Sequence, residues 1–196
     1  MPKSIHSLAS LLWPFLTVIL LFPCLPGSAQ QSKDDKVASI RELFNQINGD
    51  STLHKITLEN EEVVGEEYPD DGIELTGYFK GDTLCKMVVW TGLSYAVIKE
   101  SYYFKGSALQ FVYETEEDFA EAKPPGSGLN HKKLVHAFEG RYYFDQDKAF
   151  TILTKGKKRM ESDDLHHPSE LYHNAHFYYG LLIKKKGAGR STAARH

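Results

Sequence analysis

The sequence predicts an α+β domain: an antiparallel β-meander of about seven to eight strands, with an N-terminal and a C-terminal helix packed on one face. Three observations predict it. Apolar residues recur at helical spacing near both ends of the 196-residue chain. Between those ends apolar and polar residues alternate, the period of a half-buried strand. Finally, an aromatic-turn unit returns: Tyr78-Phe79-Lys80-Gly81-Asp82-Thr83-Leu84, then Tyr103-Phe104-Lys105-Gly106-Ser107-Ala108-Leu109, and more weakly Tyr143-Phe144-Asp145-Gln146-Asp147-Lys148-Ala149.

The first element, residues 1–29, reads as an export signal. Lys3 precedes an apolar run from Leu8 to Phe22, and Gly27 and Ala29 are the small residues before a cleavage point at Gln30. The run is about fifteen residues, shorter than the ~20 that span hydrocarbon, and Pro14 interrupts it. A retained anchor and lipidation at Cys24 are the rival assignments; Pro23 fits the second poorly. The mature chain is then expected to be periplasmic, envelope-bound or secreted, without a transmembrane span.

Residues 30–35 read as a polar linker, and 36–183 as one domain. Val37, Ile40, Leu43, Phe44 and Ile47 lie on one helical face, and Gly49-Asp50 ends that helix. Ile56 and Leu58 then alternate with polar neighbours. Tyr68-Pro69-Asp70-Asp71-Gly72 is a turn, followed by a strand through Ile73, Leu75, Gly77 and Phe79. Each aromatic-turn unit ends one strand and starts another: Leu84–Trp90, Leu109–Glu114 and Ala149–Thr154. Gly81 and Gly106 supply the positive φ of tight hairpins. The third copy lacks the glycine, so its turn is of another type. Strand side chains alternate, so Phe79, Phe104 and Phe144 share the core face, and Tyr78, Tyr103 and Tyr143 share the opposite one. Breaker-rich Glu121–Asn130 is a long loop, after which Leu134, His136, Phe138, Gly140, Tyr142 and Phe144 share a strand face. Leu171, Ala175, Tyr178 and Leu182 form the last helical stripe, with Pro168 at its start. Residues 184–196 read as a flexible basic tail.

Composition narrows the function. Apolar residues make up 41 % and aromatics 12 %, enough for a packed core. The net charge is −3 for the whole chain, but Gln30–Ile183 alone carries −9. Such an acidic body argues against nucleic acid, whose affinity rests on phosphate neutralisation. The mature chain keeps one cysteine, Cys85, so it forms no internal disulfide. Its apolar neighbours Leu84 and Met87 mark Cys85 as a small core residue.

The side chains offer few chemical constellations. Glu170, His173 and His176 fall on one helical stripe and are the candidate metal ligands. One stripe offers too few donors to close a tetrahedral site. No Gly-x-Ser-x-Gly elbow is present. The acidic runs Glu61-Glu62, Glu66-Glu67, Asp70-Asp71 and Glu116-Glu117-Asp118 read as exposed turn residues. The candidate ligand face is aromatic: Tyr78, Trp90, Tyr103 and Tyr143. Such rings serve either core packing or an open binding face.

The unit Tyr-Phe-Lys-Gly-x-x-Leu, followed by Met87-Val88 or Phe111-Val112, resembles the hairpin repeat of MORN-type proteins and related antitoxin-like bacterial proteins. The irregular spacing of the copies differs from true MORN repeats. Over nearly the whole mature chain, the pattern also resembles small exported bacterial proteins of unknown function. These have a signal, a helix beginning Ile-Arg-Glu (here Ile40-Arg41-Glu42), Tyr-Tyr-Phe strands and a final helix. That resemblance implies no activity and no cofactor. The expectation is therefore a non-enzymatic exported domain that binds an unknown protein or small-molecule ligand. The alternative is an export-compartment hydrolase or metal-dependent enzyme with an unrecognised site.

Overall fold

The computed structural model describes residues 32–160 and 167–193. Residues 1–29, read above as an export signal, the start of the expected linker, 161–166 and 194–196 lie outside the described residues. The elements are α1 (Lys33–Gly49), β1 (His54–Glu59), α2 (Glu61–Val64), β2 (Ile73–Lys80), β3 (Thr83–Gly92), β4 (Ala96–Lys105), β5 (Ala108–Glu121), β6 (Leu129–Asp145), β7 (Lys148–Gly156) and α3 (His167–Ala193). The seven strands form one sheet in the order of the chain, each antiparallel to the next. Among the described residues, no helix is long and apolar enough to cross a membrane.

Helix α1 begins three residues earlier than the linker reading placed it. Ser32 caps it: the Asp35 N–H donates to Ser32 Oγ at 3.1 Å. Asp34 and Asp35 place negative charge at the positive end of the helix dipole.

The aromatic-turn units build three matching hairpins. Each crosses a two-residue turn, after Lys80, Lys105 and Asp145. Gly81 and Gly106 open the first two turns with φ of 57° and 63°. In the third, Gln146 and Asp147 both take positive φ, 45° and 70°. Two left-handed residues make a type I′ turn, the different type that the missing glycine implied. Every exit strand then carries one extra residue at the same offset: Cys85, Gln110 and Phe150. These bulges shift the face parity by one, so Leu84 and Met87 both reach the same side.

That side holds the larger core. Phe79, Phe104 and Phe144 lie there, with Leu75, Tyr102 and Val112, under Leu171, Ala175 and Leu182 of α3. Gly77 lets the helix close in, since a Cβ there would stand 2.8 Å from Leu182 Cδ1. The other side holds a smaller core of Tyr103, Phe111 and Tyr143 under Ile40 and Ile47 of α1. The meander with a helix at each end is as expected, but the helices lie on opposite faces rather than on one. Alternation explains it: with the Phe row under α3, the Tyr row needs its own cover.

Two further expectations are corrected. Residues 184–193, read as a flexible tail, are helical, because α3 continues to Ala193, and Lys185 and Lys186 have partners. Lys185 pairs with Glu62, Lys186 pairs with Asp82 at 3.2 Å, and its ammonium lies 4.4 Å over the Phe79 ring. On β6, Ala137 is an extra residue between the pairs Glu116↔Phe138 and Glu117↔His136. The shift puts Phe138, Tyr142 and Phe144 in the core and leaves His136 and Leu134 exposed.

Candidate functional site

The ring-bearing strands and α1 enclose an open groove. Helix α1 leaves a groove of about 410 Å³ beside it on the Tyr face. Ile40, Arg41, Phe44 and Asn45 line it from the helix, and Phe111, Tyr113, Arg141 and Tyr143 from β5 and β6. Period-2 alternation brings Arg141 and Tyr143 to one face, and cross-strand pairing sets Tyr113 opposite Arg141 and Phe111 opposite Tyr143.

The walls are an aromatic ladder. Phe44 stands edge-on to Phe111 at 5.7 Å between ring centroids, and Phe111 meets Tyr143 at 4.9 Å. Phe44 also packs on Tyr103 at 4.9 Å. The cations sit at its polar edge. Arg41 Nε donates to the Tyr143 hydroxyl at 3.3 Å. Arg141 pairs with Glu139 at 2.5 Å and lies 5.8 Å over the Tyr113 ring, whose hydroxyl donates to the same Glu139.

All four sequence-proposed ligand residues share this face of the sheet, in different surroundings. Tyr143 is buried on the groove floor, and Tyr103 is buried beneath α1, its hydroxyl bonded to Asn48. Burial pushes the Tyr103 phenol up to about 12. Tyr78 and Trp90 are half-buried on β2 and β3, away from the groove. Lys55 and Lys86 each lie 5.3 Å from the Tyr78 ring centre. Burial, with Lys99 and Lys55 close by, lowers the Lys86 ammonium below its usual value. The sequence reading missed Arg41, Phe44, Phe111, Tyr113 and Arg141 as groove residues. The signal for Arg141 was present, two residues before Tyr143 on the same strand face.

The candidate metal ligands do not converge. Glu170, His173 and His176 are exposed on α3, His173 Nδ1 lies 2.7 Å from the Ser169 carbonyl, and His176 packs on Tyr172. Among the described residues, no three His, Cys, Asp or Glu side chains are grouped to hold a metal. Cys85, the first bulge residue, is half-buried rather than fully buried.

A second polar cluster lies on the α3 face; Glu116 was expected in a turn and Glu114 at a strand end. Glu114 and Glu116 instead point inward from the long β5, 1 % and 3 % exposed. Glu114 accepts from Lys158 Nζ at 2.5 Å and from the Tyr142 hydroxyl at 3.0 Å, and lies 2.9 Å from His167 Nε2. Burial raises the Glu114 carboxyl, but the His167 contact and the Lys158 charge outweigh it and hold it below the usual range. Its cross-strand neighbour Glu100 moves the other way, raised by burial and by Glu114 itself against the pull of the Tyr102 hydroxyl. The Arg159 N–H donates to Glu116 at 2.8 Å. Together these bonds tie the segment before α3, and its first turn, to β5.

Comparison with known proteins finds no match for this chain: no family model, no curated protein and no solved structure.

Proposed function

We propose that this chain is an exported, non-enzymatic binding domain that takes a small molecule with an apolar body in the groove between α1 and β5–β6. The observation that carries the reading is the groove itself. Its volume of about 410 Å³ falls within the ~300–1,000 Å³ usual for ligand pockets. Aromatic walls with few polar groups at one edge are the composition such sites have. Export rests on the pattern of residues 1–29, and the acidic body supports a ligand other than nucleic acid.

The neutral fluorophore N-phenyl-1-naphthylamine tests the reading. Its emission is expected to rise on the wild-type protein and not on Asn45→Trp, which fills the groove from the exposed side of α1. Equal emission from both proteins, with matching circular dichroism, would show that the groove is not the site.

One observation favours the hydrolase alternative. Glu100 and Glu114 are directly paired and pushed in opposite directions, which is how acid and base partners are set apart. Yet the three partners of Glu114 tie β5 to its neighbours: Tyr142 of β6, Lys158 after β7 and His167 in the first turn of α3. Ester hydrolysis abolished by Glu114→Gln in a folded protein would reverse this preference.

A further inference from the structure

We infer that the molecule this groove takes carries an anionic group, a carboxylate or sulfonate on its apolar body, gripped by Arg41 and Arg141. The inference rests on the groove being the binding site and adds the charge of the ligand.

The chain is acidic, with −9 over Gln30–Ile183. Two guanidinium groups lining one small groove run against that background. They are also inequivalent in a useful way. Arg141 is fixed: Glu139 holds it at 2.5 Å, and it lies against the Tyr113 ring. The Tyr113 hydroxyl holds Glu139 in turn at 3.1 Å. Arg41 is exposed and spends only its Nε, on the Tyr143 hydroxyl at 3.3 Å. It makes no ion pair among the described residues. Glu139 therefore offsets one of two positive charges, and the groove keeps a net positive edge.

A guanidinium fork presents parallel N–H donors that match the two oxygens of a carboxylate or sulfonate. Here the fork stands beside Phe44, Phe111 and Tyr143, whose rings make a wall of low polarity. A charge contact is worth more in such surroundings than in bulk solvent. An organic anion satisfies both parts of the groove at once: its body lies on the rings and its charge meets Arg41, with Arg141 as the rigid second cation.

The test pairs two probes of nearly the same body. 8-Anilinonaphthalene-1-sulfonate carries the anion, and N-phenyl-1-naphthylamine lacks it. Wild-type protein is expected to bind the sulfonate about tenfold more tightly, the scale of one charge-assisted contact. Arg41→Gln, on the exposed helix surface, should remove most of that advantage, read as the ratio of the two affinities. Arg41→Lys should restore part of it. Salt should weaken only the sulfonate. Equal affinity of the two probes for wild type, or sulfonate binding unchanged in Arg41→Gln, would overturn the charge inference while the groove stands. Failure of both probes, or binding indifferent to Asn45→Trp, would instead remove the groove reading beneath it.

Discussion

The two faces of the sheet are covered to different degrees. Helix α3 runs 27 residues across the Phe face, and nearly every large side chain beneath it is sealed. Leu75, Phe79, Leu84, Met87, Leu171 and Leu182 are all at 0 % exposure. Helix α1 has 17 residues and covers only part of the Tyr face. Its two anchors, Ile40 and Ile47, keep 7 % and 9 % exposure, and Phe44 and Tyr113 are half-buried. One face is therefore a core and the other a core that opens into a groove. The lesson is that a row of aromatics can serve both ends, depending on how far the covering helix reaches.

Breaking that comparison begins with the largest effect. Phe104→Ala under α3 is expected to cost about 3–5 kcal/mol, read by urea unfolding, because the cavity it leaves is enclosed. Ile40→Ala under α1 should cost about 2 kcal/mol, the low end for such a truncation, because solvent can enter beside it. It should also strip hydrogen-exchange protection from α1 while β4 and β5 keep theirs. A loss from Ile40→Ala as large as that from Phe104→Ala would mean that the two faces are equally closed.

Glu114→Gln sharpens the contrast from the polar side. It leaves Lys158 without its carboxylate in a half-buried site and should cost about 3 kcal/mol at pH 7. The sign follows from the depressed folded value. Wild-type stability from Glu114 is complete above the ordinary unfolded carboxyl value of about 4.3 and is lost as pH falls through the lower folded one. Glu100 acts oppositely. Its raised folded value opposes folding as pH climbs from the unfolded value through the folded one, so Glu100→Gln should be neutral or stabilising at pH 7. The smallest effect is expected at Lys185→Ala. Its pair with Glu62 is half-exposed, and thermal unfolding should register about 0.5 kcal/mol or less. A larger loss would show that the end of α3 holds the sheet more firmly than surface charge allows.

The fold was legible where a period was unbroken. The alternation through Ile73, Leu75, Gly77 and Phe79, and the helical stripe of Leu171, Ala175 and Leu182, survive into the structure unchanged. It was obscured wherever one residue was inserted. The extra Ala137 moved His136 off the core face, and the extra Gln110 hid that Val112, Glu114 and Glu116 continue the buried row. Local pattern also cannot say which face a remote helix covers, so α1 was placed with α3. The site was half-legible for the same reason. Tyr143 was read from the repeat, but Arg41 meets it across 102 residues of chain, a separation that no spacing rule reports.

The terminal helices also cross the chain's own order, and this has a kinetic consequence. Every strand pairing joins chain neighbours, most of them through short connections, so the sheet can zip with little loop-closure cost. The helices are the exceptions. Lys36, near the start of α1, pairs with Asp145 at the end of β6, and Lys185, near the end of α3, reaches back to Glu62 beside β1. Helix α1 thus rests on strands late in the chain, and α3 runs from β7 back to β1. Helix α1 precedes the whole meander in the chain, yet its floor of Tyr103, Phe111 and Tyr143 is complete only once β4, β5 and β6 have paired. Its docking belongs after the rate-limiting step, so weakening Ile40 should speed unfolding and leave refolding almost unchanged. The groove would then be the last part of the molecule to form and the first to open.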